Sequence, residues 1–208
     1  MNNLSKTIQI KAIAYLENGF SDIGSTRKKI VTPNDLKGLT INILNPLNES
    51  SFLALGTSPM RVAFANIVPA LQKGLFDTTE VGIYSGFSAA AGFSRYIEIV
   101  KYVSLTQHSY SASVMFFNQD KFNSLSKKHQ RILLESAMDV SEQNKSLVRR
   151  GRESALSELT QAGINIARPD RPGMRLLLEK LFENPPEGIS KEILDAVKKA
   201  CRWPPFCK

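Results

Sequence analysis

Residues 15–38 read YLENGFSDIGSTRKKIVTPNDLKG, and the punctuation inside this stretch decides how the chain is organised. Just upstream, Ile8–Leu16 alternates Ile8, Ile10, Ala12 and Ala14 against Gln9, Lys11, Ile13 and Tyr15, which predicts a strand partly covered on both faces. Asn18 and Gly19 are expected to end it. At the far end, Thr32 is placed to cap a helical turn over Pro33–Leu36, with Pro33 at the first helical position and Gly38 breaking the chain before the next strand.

Working downstream, Leu39–Leu44 is that strand. Asn45–Leu55 predicts a helix beginning after Pro46 and ended by Gly56, and Arg61–Phe64 a short extended segment. Asn66–Lys73 predicts a helix ended by Gly74, with Pro69 early enough that its missing N–H matters little. Strand returns at Gly74–Thr79. Strands each followed by a helix are the pattern of parallel sheets with crossover connections.

The second half has a different character. Val100–Thr106 and Ser111–Asn118 predict two strands. Ser126 caps a long helix with apolar positions Leu133, Ala137, Val140, Leu147, Ala155 and Leu159, ended by Gly163. From Ser126 to Ala162, at ~1.5 Å per residue, this helix would span on the order of 55 Å. It must bridge two lobes unless Gly151 kinks it. A short strand near Ile164–Ala167, a helix around Met174–Phe182 and a capped helix at Ser190–Ala200 follow. Ser85–Ser94, rich in Gly, Ala and Ser, reads as a loop.

Composition narrows the class. A chain of 208 residues with 42% apolar and 22% charged content is globular and long enough for one domain or two small lobes. Apolar runs such as Val114–Phe117 and Leu176–Leu178 fall far short of the ~18 residues of a membrane span. The segment MNNLSKTIQIKAIAYLENG lacks the apolar stretch and cleavage site of a secretory signal. The net charge is +8, with basic clusters at Arg27–Lys29, Arg149–Arg152 and Lys198–Lys199. No RNA-binding motif, zinc-finger spacing or helix-turn-helix accompanies them, so no nucleic acid is expected as a partner. Cys201 and Cys207 could close a small loop in an oxidising compartment, but unpaired thiols at a frayed end are the plainer reading, and a zinc site is implausible.

The reactive side chains do not assemble into a recognisable catalyst. His108 and His129 are the two histidines, and no G-x-S-x-G elbow, Walker A sequence or G-x-G-x-x-G is present. Asp77 and Glu80 stand three apart at the end of a predicted strand, without a readable partner base or metal cluster. No enzyme activity, metal or cofactor is therefore expected. In open α/β sheets, however, ligands bind beyond the carboxyl ends of the strands. Asn42 and Asn45 fall after one predicted strand, Phe64 after the next and Glu80 after the third. Taken singly, Phe64 reads as core, Asn45 as a helix cap and Glu80 as a surface charge.

The stretch at 15–38, together with ALGTSP (54–59), AFANIVPALQKGLFD (63–77) and YVSLTQHSYS (102–111), resembles the solute-binding proteins of TRAP (tripartite ATP-independent periplasmic) transporters, the C4-dicarboxylate-binding-protein-like family. The resemblance runs from about Ile8 to about Ala200. It implies an α/β, periplasmic-binding-protein-like (type II) architecture of two lobes, with strands crossing at a hinge and a long helix spanning both. Residues 1–22 and 110–145 would supply a first lobe with the crossing strands, residues 23–109 and 146–200 the second α/β lobe, and residues 201–208 a tail. Relative to the family, the first lobe looks incomplete, and apolar faces at Ile8–Leu16, Ser111–Phe117 and Leu133–Val140 would lack their cover.

The family also implies a site. Asn45 matches a position that can reach the ligand, Phe64 the aromatic of P-x-P-M-x-F, and Glu80 the Glu of D-G-Q-E-N-P; His108, Ser109 and Tyr110 match L-T-N-H-S-Y at the lobe crossing. Two family arginines that clamp the ligand carboxylate are replaced, one by Ser21 after Asn18-Gly19-Phe20 and one by Asn42 in the segment Gly38–Leu44. Losing a bidentate, charge-assisted contact weakens carboxylate binding, and Arg61, on the opposite face from Phe64, is not a substitute. The segment Gly82–Ser94 also looks about five residues longer than its family counterpart. The expected function is capture of a small organic acid (dicarboxylate, keto acid or sugar acid) or related polar solute in the periplasm, for handing to the TRAP membrane permease subunits. The alternative is a truncated or degenerate binding-protein fragment acting as an interaction module, with an N-terminal fragment in trans as a possible partner.

Overall fold

The computed structural model describes residues 9–87, 98–183, 190–192 and 195. A single six-stranded sheet organises it: β1 (Ile10–Ser25), β2 (Thr40–Asn42), β3 (Ser58–Met60), β4 (Thr78–Gly82), β5 (Tyr102–Asn118) and β6 (Asn165–Ala167), in the order β3-β2-β4-β1-β5-β6. Parallel pairing joins β3 to β2, β2 to β4 and β5 to β6, whereas β1 is antiparallel to both its neighbours, β4 and β5. The helices are α1 (Glu49–Ala54), α2 (Ile67–Gln72), α3 (Ile83–Phe87), α4 (Gln119–Ser124), α5 (Lys127–Gln161) and α6 (Arg171–Glu183).

Both faces of the sheet are covered, as parallel strands require. On one face Val81, Val103 and Leu105 pack against Ile67 and Leu71 of α2, Phe87 of α3 and Ala155 and Leu159 of α5. On the other, Ile23 and Ile41 pack with Phe52 of α1 and Met174 of α6. The short helices after β2 and β3 stop where glycine takes a left-handed conformation, Gly56 at φ 82° and Gly74 at φ 69°.

Several elements differ from the sequence reading. Asn18-Gly19 does not end the first strand; Gly19 sits at φ 87° at a register shift, so its freedom makes a bulge and β1 continues to Ser25. The two strands expected at 100–106 and 111–118 are one, β5, which passes through an irregular stretch at Gln107. The extended segment expected at 61–64 lies earlier, at Ser58–Met60, where Pro59 is tolerated because β3 is an edge strand. The strand expected at Gly74–Thr79 is shifted to Thr78–Gly82, so Glu80 lies inside β4 rather than after it. Part of the loop expected at Ser85–Ser94 is helical, as α3, and the remainder falls outside the described residues, as do most of the helix expected at Ser190–Ala200 and the tail with Cys201 and Cys207.

β1 and β5 outrun the sheet. Beyond the span paired with β4 and β6, Ile10–Phe20 pairs with Tyr110–Asn118 as a two-stranded ribbon. The side of β1 that β4 occupies lower down is taken here by α5, whose Ser141 hydroxyl donates to the Tyr15 carbonyl (2.5 Å) and whose Asn144 Oδ1 accepts from the Glu17 N–H (2.6 Å). Much of the ribbon is apolar and uncovered, with Tyr15, Tyr110, Val114 and Phe116 exposed, and so are Met138, Val140 and Leu147 of α5. Val140 and Leu147 line an open groove of about 550 Å³ with Leu16, Asn144 and Arg150, while Val148 is buried. No helix among the described residues is long and apolar enough to cross a membrane.

α5 runs unbroken for 35 residues from its Ser126 cap, whose Oγ accepts from the His129 N–H (3.3 Å). Gly151 is not a break in it. A Cβ there would fall 2.3 Å from the ring of Tyr84, so the glycine is the gap into which α3 presses its aromatic. We expect Gly151→Ala to destabilise the fold by about 1–2 kcal/mol, overpacking outweighing the gain in helix propensity. In a Tyr84→Ala background the same change should stabilise by about 1 kcal/mol. Urea unfolding of the four proteins checks this, and a Gly151→Ala effect of the same sign in both backgrounds would refute it.

Candidate functional site

Glu80 sits in the middle of β4, its register partner in β1 being Ile23, and its carboxylate is 1% exposed. A buried charge is tolerated only when paired and hydrogen-bonded, and four groups converge on it. Oε2 accepts from the backbone N–H of Leu44 and, at 3.4 Å, from that of Asn45. Oε1 accepts from the Asn48 side-chain amide (2.5 Å) and lies 2.8 Å from His108 Nε2. Burial alone would raise the carboxyl, but the bond and charge of His108, with the Leu44 and Asn48 donors, outweigh it and hold Glu80 below the usual value of 4.5.

His108 is itself fixed on two sides. Its Nδ1 lies 2.7 Å from the Thr106 hydroxyl and its ring meets Phe52 edge-on, centroids 5.3 Å apart. With a proton on Nε2 the ring donates to Glu80, and the Thr106 hydroxyl, able to donate or accept, pairs with Nδ1. The cluster therefore ties β4, β5, α1 and the turn after β2 into one polar unit just beyond the carboxyl end of β2.

The other sequence candidates fall around this unit in different ways. Asn42, the last residue of β2, is fully buried; its amide donates to Thr79 Oγ1 (3.2 Å) and its Oδ1 accepts from the Val62 N–H (3.0 Å), fixing the chain after β3. Asn45 starts the turn at Pro46–Asn48, its Oδ1 accepting from the Leu47 N–H (3.0 Å), while its own N–H reaches Glu80. Phe64 is 59% exposed after β3, so it is not a core residue. Ser21 is half-buried in β1, opposite Gly82 of β4 and Ser109 of β5. The structure thus brings Asn45 and Glu80 into direct contact; Asn42 ends β2, Phe64 follows β3, and Ser21 lies within β1 opposite the last residue of β4.

Two parts of the unit escape a reading of the sequence. Asn48, one of the four groups that meet Glu80, reads as one more polar residue in a helix start, and His108 reads as part of a lobe crossing with no visible partner. Asp77, grouped with Glu80 by spacing, does other work: its carboxylate accepts from the Thr40 N–H and hydroxyl (3.1 and 3.0 Å) and pairs with Arg27 (3.3 Å). Although burial opposes it, these contacts keep Asp77 below its ordinary value. No group of three or more metal-ligating side chains occurs among the described residues.

The sign of Glu80's contribution to stability follows from its lowered value. A carboxylate more acidic folded than unfolded stabilises fully above the unfolded value and loses that contribution as pH falls through the folded one. We expect Glu80→Gln to cost about 3 kcal/mol at pH 7, and the gap to wild type to shrink as the pH is taken below about 4.5. Urea unfolding between pH 7 and pH 3 measures it, and a gap independent of pH would mean that Glu80 is not ionised in the folded protein.

Comparison with known proteins places this arrangement in a family. The profile of the bacterial extracellular solute-binding proteins, family 7, matches residues 1–184. The 2,3-diketo-L-gulonate-binding periplasmic protein YiaO of Escherichia coli is 32% identical over 158 residues, 76% of this chain and 47% of that protein. The C4-dicarboxylate-binding periplasmic protein DctP of Rhodobacter capsulatus is 24% identical over 196 residues, 92% of this chain and 57% of its own. Among solved structures, a TRAP periplasmic solute-binding protein from Ochrobactrum anthropi with bound L-fuconate superposes with a TM-score of 0.79 at 26% identity, over 94% of this chain and 63% of that one. The chain thus spans about half the length of the curated relatives it matches. On the profile match and the YiaO identity together, it belongs to the family 7 bacterial extracellular solute-binding proteins, those of TRAP transporters.

Proposed function

We propose that this chain forms the solute-capturing part of a TRAP-type transporter, holding a small organic acid for the membrane permease subunits without catalysing a reaction, in the periplasm. The observation that carries this reading is the polar unit around Glu80: an ionised, fully buried carboxylate within β4, just beyond the carboxyl end of β2, held by the short turn that carries Asn45 and Asn48. In open α/β sheets this is where ligands bind. Ser21, Asn45, Phe64 and Glu80 are the proposed contacts, Glu80 chiefly by orienting the turn. Asn42 belongs to the set by its place at the end of β2 and acts through the chain after β3 that it holds.

Within the acids, hydroxylated ones are the better fit. Neither Ser21 nor Asn42 can supply the planar, bidentate grip of a guanidinium on a carboxylate, whereas serine, asparagine and backbone groups pair well with hydroxyls. Sugar acids of the diketogulonate and fuconate type, named for the relatives, present many hydroxyls to one carboxylate. C4-dicarboxylates present two carboxylates and few hydroxyls, none in succinate and one in malate.

A second reading rests on the uncovered apolar residues of the ribbon and α5, among them Tyr15, Phe116 and Met138. In it the chain is an interaction module that binds no solute and covers this face with another polypeptide, such as an N-terminal fragment in trans. A thermal-shift screen separates the two. A hydroxylated sugar acid at 100 times its dissociation constant should stabilise by ~2.7 kcal/mol, roughly 5–10 °C for a chain of this size, and more than succinate or malate at equal concentration. Phe64→Ala should weaken that binding by about 1–2 kcal/mol without lowering the melting point of the free protein. A folded protein that shifts with no acid would sink the capture reading.

A further inference from the structure

Where β1 and β5 pass from the sheet into the ribbon, their pairing breaks. Ser21 pairs with Ser109 and Ile23 with Ser104, so Asp22 alone stands opposite Leu105–His108. The Asp22 side chain fills the missing rung, its Oδ1 accepting from the Gln107 N–H at 2.9 Å. To deliver that N–H, Gln107 adopts φ 48°, the left-handed region that L side chains avoid.

Asp22 is 0% exposed and its second oxygen accepts from Arg152 Nη1 of α5 at 2.8 Å. The other end of that guanidinium is unsatisfied. Arg152 Nη2 is buried, with no hydrogen-bond partner, a costly condition for a charged donor. Burial accordingly raises the Asp22 carboxyl despite Arg152 and the Gln107 N–H. One carboxylate is divided between two donors, and each pays for the division, Gln107 in backbone strain and Arg152 in an empty nitrogen.

Both costs vanish in a single rearrangement. If Gln107 returns to the extended conformation of its neighbours, its N–H leaves Oδ1, and Asp22 can offer both oxygens to Nη1 and Nη2 in the parallel two-bond geometry that arginine and carboxylate favour. We propose that Asp22 is a two-position switch, shared with Gln107 in the arrangement seen and held bidentately by Arg152 in the other, and that Asp22, Gln107 and Arg152 thereby couple α5 to the polar unit of β4. The coupling is built from contacts on either side of Gln107. Arg171 of α6 donates to its Oε1 (2.7 Å), and the next residue, His108, is bonded to Glu80. These hold β5 in the strained arrangement against the pull of Arg152. The switch does not require that the chain bind a solute.

Opposite changes at one amide test it. Amide hydrogen exchange of Gln107, followed by NMR on the whole chain, reads how often its bond to Asp22 opens. Gln107→Gly removes the left-handed penalty but also the Oε1 that Arg171 holds, so it is made in an Arg171→Ala background, where it should slow exchange of residue 107 by about fivefold or more relative to that background after correction for intrinsic rates. Arg171→Ala, which removes the anchor on the strained side, should speed it by about tenfold. Neither should alter exchange at Leu159, buried in the core of α5. Faster exchange in Gln107→Gly than in its background, or no change in either variant, overturns the proposal. Should the glycine variant not fold, Gln107→Asn in the same background, milder but better suited than glutamine to the left-handed region, is expected to slow exchange and counts against the switch if it does not.

Discussion

The pairing of β1 with β5 is the constraint on which the rest of this molecule hangs. It is the longest ladder among the described residues, and it joins residues far apart in sequence, Gly19 with Ser111 and Ser25 with Tyr102. Its lower part supplies the centre of the sheet, with β4 added to one side and β6 to the other. Its upper part is the bare ribbon against α5. The polar side chains gather where the two parts meet, because a ladder that shifts register leaves backbone groups that only side chains can satisfy. Asp22, Gln107 and His108 all stand at that junction, and through His108 it reaches Glu80.

The legible and illegible parts of the fold divide along sequence distance. Thr32, Pro33, Pro46, Gly56, Gly74, Ser126 and Gly163 act on chain within a few residues of themselves, and the turns and helix ends they announce are there. Asn18-Gly19 carries the same local signal, yet whether it makes a turn or a bulge is decided by Ser111 and its neighbours across the ladder. Gly151 looked like a kink for the same reason: its purpose is Tyr84, more than sixty positions away and visible only once α3 and α5 are packed. The site shows the same division. The placing of Asn45 after the end of β2 followed from alternation and topology, whereas the place of Glu80 inside β4, its pairing with His108 and that of Asp22 with Arg152 leave no trace in spacing or composition.

The resemblance implies an arginine at the position of Asn42. An arginine projecting from the end of β2 needs room and a carboxylate; the asparagine here bonds Thr79 and Val62 and tightens the junction of β2, β3 and β4. In the proposed function, recognition falls to the short turn Asn45–Asn48 and its buried carboxylate. Because Glu80 is both inaccessible and ionised, its effect on anything bound nearby is transmitted through the dipoles of the groups that donate to it, which are fixed before any ligand arrives.

The side chains with which α5 meets the ribbon also set how this molecule can fail. Exposed strand edges are templates for aggregation. Ser141 and Asn144 occupy the outer edge of β1, and β3 and β6 are only three residues long. The upper half of β5 is thus the one long edge among the described residues that no other element pairs. A particle with a single adhesive edge can join one copy of itself and is then sealed, so misassembly through strand addition would stop at pairs rather than grow into fibres.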